Sequence, residues 1–368
     1  MKKLLSVLLI VVLSMTLFAG CGSNGTNDNE GAVASGGTYT WKVQGYTAAG
    51  TYFDTMGQNL ANAITEASNG RLTIDWYAAD SIVAVAENAN AVRDGILDAA
   101  FDYAGLYTSL NEAFALFCSS PGLFSDPFDM YTWQTEGGGL EIWQEMWDSY
   151  GMNGHLILAG LHDQEDWLWS NKPIETINDM KGITIRMMPI MGTILAENGL
   201  SVAFVSGTEI VSSMERGVID AGEYSIPALD KTFGFQDVAK YYARPGIHQP
   251  TASVSLNVNK DKWNELPDDL KRIVEACCHE NVLNFWTFGT MANIEAIEYF
   301  DEIGAVQTTL TPETVETLLS WIDAYYEKHC PENEWLEKVH NSQVEHIKHI
   351  AAYKDSLRFA YPEWAYEK

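Results

Sequence analysis

The sequence predicts an α/β fold in two lobes. Three observations carry that expectation. Strands and helices alternate through most of the chain, and the alternation recurs in two separate stretches. The globular part, about 330 residues, also exceeds what one hydrophobic core usually supports.

The first residues stand apart from that pattern. Lys2 and Lys3 precede an apolar run from Leu4 to Leu17, followed by Ala19, Gly20 and Cys21. A basic start, a short apolar stretch and small residues before a cleavage point read as a bacterial secretory signal over 1–20. The run is short of the ~20 residues a spanning helix needs. A cysteine directly after the cleavage point predicts a lipoprotein, its Cys21 thiol carrying diacylglycerol, although Phe18 stands where lipoproteins more often have leucine. Several acyl chains, at about 0.8 kcal/mol per buried methylene, would hold the protein on the outer side of the membrane. Gly22 to Gly37 offers almost nothing to bury, so 21–38 reads as a lipidated flexible tether.

The elements then follow in order. Phe53, Met56, Leu60 and Ile64 recur at helical spacing, and Asn69-Gly70 supplies a left-handed stop. Leu72 to Trp76 alternates as a strand, and Val85 to Asp94 returns to helix with Gly95 as its end. Later the order repeats: strand at Ile183 to Ile185, helix from Gly192 to Asn198, strand at Ser201 to Val205, helix from Thr208 to Arg216. Repeated βαβ units predict mainly parallel sheets with helices on both faces and a ligand outside the carboxyl ends of the strands. The last third is helical. Leu266-Pro267-Asp268-Asp269 and Thr311-Pro312-Glu313 place proline at a first helical turn. Val315, Leu318, Leu319 and Ile322 form a stripe to bury, Pro331 interrupts, and Glu334 to Arg358 resumes as helix.

Composition excludes some functions. A formal charge of −28 leaves no basic stripe for nucleic acid. An anionic ligand would have to be held by a few well-placed arginines. Cys118, Cys277, Cys278 and Cys330 permit two disulfides in three pairings, but a domain this large does not need them, and free buried thiols are expected for at least two. His340, His346 and His349 on the last helix lack the carboxylate partners of a catalytic metal set and read as a solvated face. The chain has no GxSxG elbow, no phosphate-cradling loop and no CxxC.

Four motifs narrow the reading. Asp179-Met180-Lys181-Gly182-Ile183-Thr184-Ile185-Arg186, followed by Glu215-Arg216-Gly217-Val218-Ile219-Asp220-Ala221-Gly222-Glu223-Tyr224, resembles the substrate-binding proteins of TRAP transporters, the DctP-like family. Trp133 to Leu140 and Tyr241 to Pro250 resemble the branch that binds 2-oxo and 2-hydroxy monocarboxylates. The resemblance covers nearly all of the chain from about Thr40. It implies a periplasmic-binding-protein-like clamshell with crossing hinge strands and a long helix shared between lobes. It also implies a protein that is not an enzyme and that delivers its ligand to a membrane permease driven by an ion gradient.

The resemblance also implies site residues. Arg186 ends an apolar strand, and a guanidinium fork matches a carboxylate in a way lysine cannot; the family's arginine at this place grips the ligand carboxylate. Glu223 corresponds to a glutamate that helps hold a cation bridging to the ligand, and Tyr224 to an adjacent aromatic wall, usually tryptophan. Gln249 stands where the branch usually has a glutamate on the cation, so sodium or calcium would bind weakly, and no cofactor is required. Gln164 matches a further glutamine of that cation site, with the alignment of Asp163 to Asp166 open by one residue. Of Trp167 and Trp169 one is expected to line the cleft, with Trp169 the choice. Tyr103 and Tyr107 follow a strand ending near Phe101 and would offer phenols from the first lobe. Met187, Met188 and Met191 fill apolar space or widen the pocket for a bulkier acid.

The resulting division is lobe 1 over 39–166 and 251–290, lobe 2 over 167–250 and 291–330, and a carboxyl-terminal helical segment over 331–368. Some members of this branch dimerise through such helices, so a homodimer is among the expected partners. Two other classes stay open. Twelve tryptophans suit a sugar-binding lipoprotein of an ATP-driven importer, and paired carboxylates suit an anchored extracellular enzyme.

Overall fold

The computed structural model describes residues 37–357. The signal over 1–20, Cys21 and the tether up to residue 36 lie outside the described residues. Eleven strands are present among the described residues: β1 Tyr39–Gly45, β2 Leu72–Tyr77, β3 Ala99–Asp102, β4 Gly154–His162, β5 Leu168–Ser170, β6 Thr184–Arg186, β7 Ser201–Ala203, β8 Ala221–Gly222, β9 Tyr241–Arg244, β10 Ala252–Asn259 and β11 Val306–Thr309. They form two sheets, ordered β2-β1-β3-β10-β4 and β11-β9-β5-β8-β6-β7.

Five of the nine strand pairings among the described residues are parallel. The antiparallel ones all involve β5 or β10, and the reason is topological. After β4 the chain leaves the first sheet through 163–167 and enters the second as β5. It returns through 245–251 from β9 to β10. These two passages run in opposite directions side by side, with the Trp167 amide donating to the Ala243 carbonyl at 2.8 Å. Strands fed by such crossings must oppose their neighbours, so the sheets are mixed.

A third connection is the helix Asp268–Glu302. At 1.5 Å per residue its 35 residues extend about 52 Å, long enough to serve both sheets. Among its buried positions, Leu270, Val274, Cys278, Val282, Phe285, Gly289, Asn293, Ala296 and Phe300 recur every three or four residues and form one continuous stripe, widened by Cys277 and Asn281. It packs on β4 and on the helix Tyr52–Ala67. Pro267 sits just outside it as the residue before the first turn, whereas Pro312 does open the helix Pro312–His329, behind Thr311, whose hydroxyl accepts from the Thr314 amide at 3.2 Å.

Most local expectations match closely. Asn69 and Gly70 have φ of +53° and +73° and end the helix Tyr52–Ala67. The segment from Val85 is a 3₁₀ turn leading into the short helix Asn88–Arg93, and Gly95 at φ +72° stops it. Leu318 and Ile322 are buried on Pro312–His329, while Val315 and Leu319 pack at the edge of the core. The four cysteines are all free and buried. The histidines of the helix Glu334–Leu357 do not form a solvated face: His340 stacks on Tyr326 at 3.9 Å and His346 meets the Thr132 hydroxyl at 3.0 Å, leaving His349 exposed.

Candidate functional site

Arg186 is the last residue of β6 and pairs in register with Gly222 of the parallel neighbour β8. Glu223 follows that glycine directly, so a guanidinium and a carboxylate emerge together at the carboxyl ends of two adjacent parallel strands. Gly222 permits the approach, since a Cβ there would lie 3.1 Å from Ile210 and 3.5 Å from the Arg186 Cβ. Arg186 Nη1 donates to Glu223 Oε1 and to the Glu223 carbonyl, both at 2.7 Å, and Nε donates to the Val205 carbonyl at 3.2 Å. Among the described residues Nη2 meets only the sulfur of Met188, at 3.7 Å. Glu223 Oε1 accepts a second bond from the Met188 amide at 2.8 Å, while Oε2 is buried without a hydrogen-bond partner among the described residues.

The two crossing segments bring the other half. Glu165 comes from 163–167, and His248 and Gln249 from 245–251. His248 Nε2 lies 3.3 Å from Glu165 Oε2 and 3.8 Å from Glu223 Oε2. The Gln249 amide donates to Glu165 Oε1, and the Tyr103 hydroxyl donates to Gln249 Oε1 at 3.2 Å. Donor atoms of Glu165, Glu223 and His248 all fall within 4.8 Å of one another, and all three residues are buried.

The electrostatics follow from that burial. Desolvation pushes the Glu165 carboxyl well above the usual carboxylate range, and the nearby charges of Glu223 and Asp230 push it further. Burial also pushes His248 down to about 4, so its imidazole is neutral at pH 7. Two buried carboxyl groups thus share one buried guanidinium. Their oxygens, with the Gln249 amide, are the donor set of a hard cation such as sodium or calcium. The unpartnered Glu223 Oε2 is the atom such an ion would satisfy, so the residues fit one.

Beside this cluster lies a cavity of about 20 Å³, walled by Tyr103, Ala115 and Pro121 on one side and Met188, Ile190 and Met191 on the other. His248 and Gln249 also line it.

Three expected residues are placed elsewhere. Glu165, not Gln164, joins the cluster; Gln164 is half-buried and has no hydrogen bond to it. Trp169 belongs to the core: it is fully buried, its indole nitrogen donates to Asp230 at 2.9 Å, and its ring stacks on Tyr242 at 5.0 Å and meets Phe300 edge-on. Tyr107 is also turned inward, its hydroxyl bonded to Asp102 and accepting from the Ala89 amide. Tyr103 does reach the cluster. Tyr224 is half-buried against Phe233, with ring centroids 4.5 Å apart, and leans over Gly207.

The bacterial extracellular solute-binding protein family 7, DctP, matches residues 45–333. A monocarboxylate 2-oxoacid-binding periplasmic protein from Nostoc sp. is 25% identical over 309 residues, 84% of each chain. A TRAP periplasmic solute-binding protein from Colwellia psychrerythraea, solved with calcium and pyruvate, superposes with a TM-score of 0.81 at 22% identity, over 86% of this chain and 97% of that one. One from Pseudoalteromonas atlantica, solved with sodium and pyruvate, gives 0.78 at 23%, over 86% and 96%. One from Bordetella bronchiseptica, solved with calcium and picolinate, gives 0.80 at 22%, over 87% and 96%. These likenesses establish the two-lobed α/β fold. No helix among the described residues is long and apolar enough to cross a membrane. With the family match running from the end of β1 to the start of the last helix, the chain belongs to the DctP family of TRAP-transporter solute-binding proteins, which serve transport and are not enzymes.

Proposed function

We propose that this protein captures a small 2-oxo or 2-hydroxy monocarboxylate between its two lobes and delivers it to the membrane permease of an ion-gradient-driven TRAP transporter. The carrying observation is the buried Arg186–Glu223 pair, in which, among the described residues, Arg186 Nη2 has no oxygen partner and Glu223 Oε2 has no donor. A ligand carboxylate completes the first. A sodium or calcium ion, held by Glu165, Glu223 and Gln249, would complete the second; when bound it supplies positive charge to the ligand oxygens. Tyr103 supports Gln249, and Tyr224 forms part of the wall.

The ligand class is supported by the Nostoc relative, which binds 2-oxo monocarboxylates, and by the two structural neighbours that hold pyruvate. The apolar wall of Met188, Ile190 and Met191 favours an acid with an apolar tail. Each sheet is the centre of one lobe, and the ligand sits where the crossing segments pass between them. Outside the cytoplasm, the protein is held to the membrane through lipid on Cys21.

Calorimetry on the soluble mature protein tests the reading. Pyruvate should bind with roughly micromolar affinity, near −8 kcal/mol. Arg186→Ala, which leaves a buried carboxylate unpaired, should cost about 3–5 kcal/mol. A loss of less than tenfold would remove Arg186 from the site. Sugar binding indifferent to Arg186→Ala would instead point to an importer of neutral solutes.

A further inference from the structure

Tyr46 carries a buried hydroxyl outside the Arg186–Glu223–Glu165 cluster. It directly follows β1, as Tyr103 directly follows β3, and the two strands are adjacent and parallel, with Gly45 in register with Phe101. Gly45 is held small by Trp76, whose ring lies 2.8 Å from where a Cβ would stand. The chain therefore sets two phenols side by side at the carboxyl edge of the first sheet, the edge at which parallel sheets meet ligands. Their rings stack at 5.7 Å with planes 15° apart. Phe53 and Phe101 flank Tyr46 at 6.0 and 6.2 Å, fixing the ring.

The two hydroxyls differ. Tyr103 donates to Gln249, whereas the Tyr46 hydroxyl is buried without a hydrogen-bond partner among the described residues. Burial raises its pKa well above the phenol value, and Tyr224, Cys118, Glu165 and Asp102 lie near enough to raise it further, so it is a donor at any physiological pH. The hydroxyls of Tyr242 and Tyr326 are also unpartnered. Tyr242 packs on Trp169 beneath the Arg244 guanidinium and Tyr326 stacks on His340, neither ring lying against Glu165, Glu223, His248 or Gln249. Tyr46 is the one whose neighbours are site residues. Buried hydroxyls are normally bonded, and an orphan of this kind calls for an explanation.

We propose that Tyr46 is a ligand-binding residue supplied by the first lobe, its phenol donating a hydrogen bond to the 2-oxygen of the bound acid. This rests on the reading of the site given above. The ligand carboxylate is met by Nη2 of Arg186 from the second lobe, and the 2-oxygen is the acceptor that remains. A single donor suits it, because a keto or hydroxyl oxygen offers lone pairs but no second charge. The ligand would thus be gripped by one group from each sheet, and acids lacking a 2-oxygen would be discriminated against by Tyr46.

Tyr46→Phe keeps the stacked ring and removes only the hydroxyl. Calorimetry with calcium present should show pyruvate bound about tenfold more weakly by the variant, and propionate, which lacks the 2-oxygen, unchanged. Where propionate is too weak to titrate directly, its displacement of pyruvate gives the constant. Thermal unfolding should show the variant as stable as the wild type. Equal losses for both acids, or no loss for pyruvate, would overturn the assignment. If pyruvate binding depends on Arg186 while Tyr46→Phe is silent, the assignment alone fails. If the wild type binds neither acid, the reading of the site fails and the assignment with it.

Discussion

Glu165 and Gln249 hold each other twice across the two segments that pass between the sheets. The Glu165 amide donates to the Gln249 carbonyl at 3.2 Å, and the Gln249 side-chain amide donates to Glu165 Oε1. The pairing of a carboxylate with an amide is what lets both be buried. It also places a carboxylate on one crossing strand where a second acid on the other would repel it.

Gln249→Glu therefore creates two neighbouring buried carboxylates where there is now one hydrogen bond. Without a cation the variant should melt below the wild type, because two buried carboxyl groups this close cannot both ionise. Calcium should raise its melting temperature more than it raises that of the wild type. At a hundredfold excess over the dissociation constant the stabilisation is about 2.7 kcal/mol. Thermal scans with chelator and with calcium give the comparison, and an equal calcium response in both proteins would show that Gln249 does not face the ion.

The parts of this site legible in the sequence are those that end strands. Arg186 and Glu223 follow Ile185 and Gly222, where apolar or small residues give way to charge, and that change marks a sheet edge. Glu165 is harder to place because 163–167 is a crossing segment with no period, so Asp163, Gln164, Glu165 and Asp166 all look alike. Trp169 misleads for the opposite reason. Leu168, Trp169 and Ser170 are all buried, and a strand covered on both faces has no alternation to reveal which side faces the cleft. Tyr107 lies at the end of a 3₁₀ turn, Ala104–Tyr107, that directs it back toward Trp147. Tyr46 could have been found by the argument applied to Tyr103, since both follow strands.

Trp169→Phe separates packing from binding. The ring is replaced, but the bond from the indole nitrogen to the buried Asp230 is lost. Leaving that carboxylate short of a donor should cost about 1–3 kcal/mol of stability. Pyruvate affinity should stay within about twofold, because Trp169 lies in the core of the second sheet. Urea denaturation and calorimetry on one preparation measure both, and a large loss of affinity at unchanged stability would return Trp169 to the site.

Asp102 should tilt the pH dependence of stability. Burial raises its carboxyl from 3.8 to about 7, against the opposing bonds from Tyr107 and the Tyr103 amide. Between those values the native protein keeps a proton that the unfolded chain releases. The stabilisation is full below 3.8 and is lost as pH rises through about 7, by up to about 1.4 kcal/mol per pH unit. His162, pushed down to about 4 by burial, acts the other way, its contribution being lost as pH falls from 6.5 toward 4. Asp102→Asn removes only the first effect. Its urea midpoints at pH 5, 6 and 7 should therefore fall less with rising pH than those of the wild type. Parallel profiles would mean that Asp102 is ionised in the folded protein.

Met188 should set the length of acid that the site accepts. Its backbone amide is fixed by Glu223 while its sulfur lies against Arg186 Nη2, so the side chain fills the approach to the guanidinium. The adjoining cavity of about 20 Å³ has room for a water but not for a branched alkyl tail. Methionine is unbranched and adaptable, and a longer acid would have to displace it. Met188→Ala removes that obstacle at modest cost, because the residue is only half-buried. Each methylene then buried by the ligand is worth about 0.8 kcal/mol. The affinity ratio of 4-methyl-2-oxopentanoate to pyruvate should therefore rise about tenfold or more in the variant. An unchanged ratio in calorimetric titrations would place the ligand tail away from Met188.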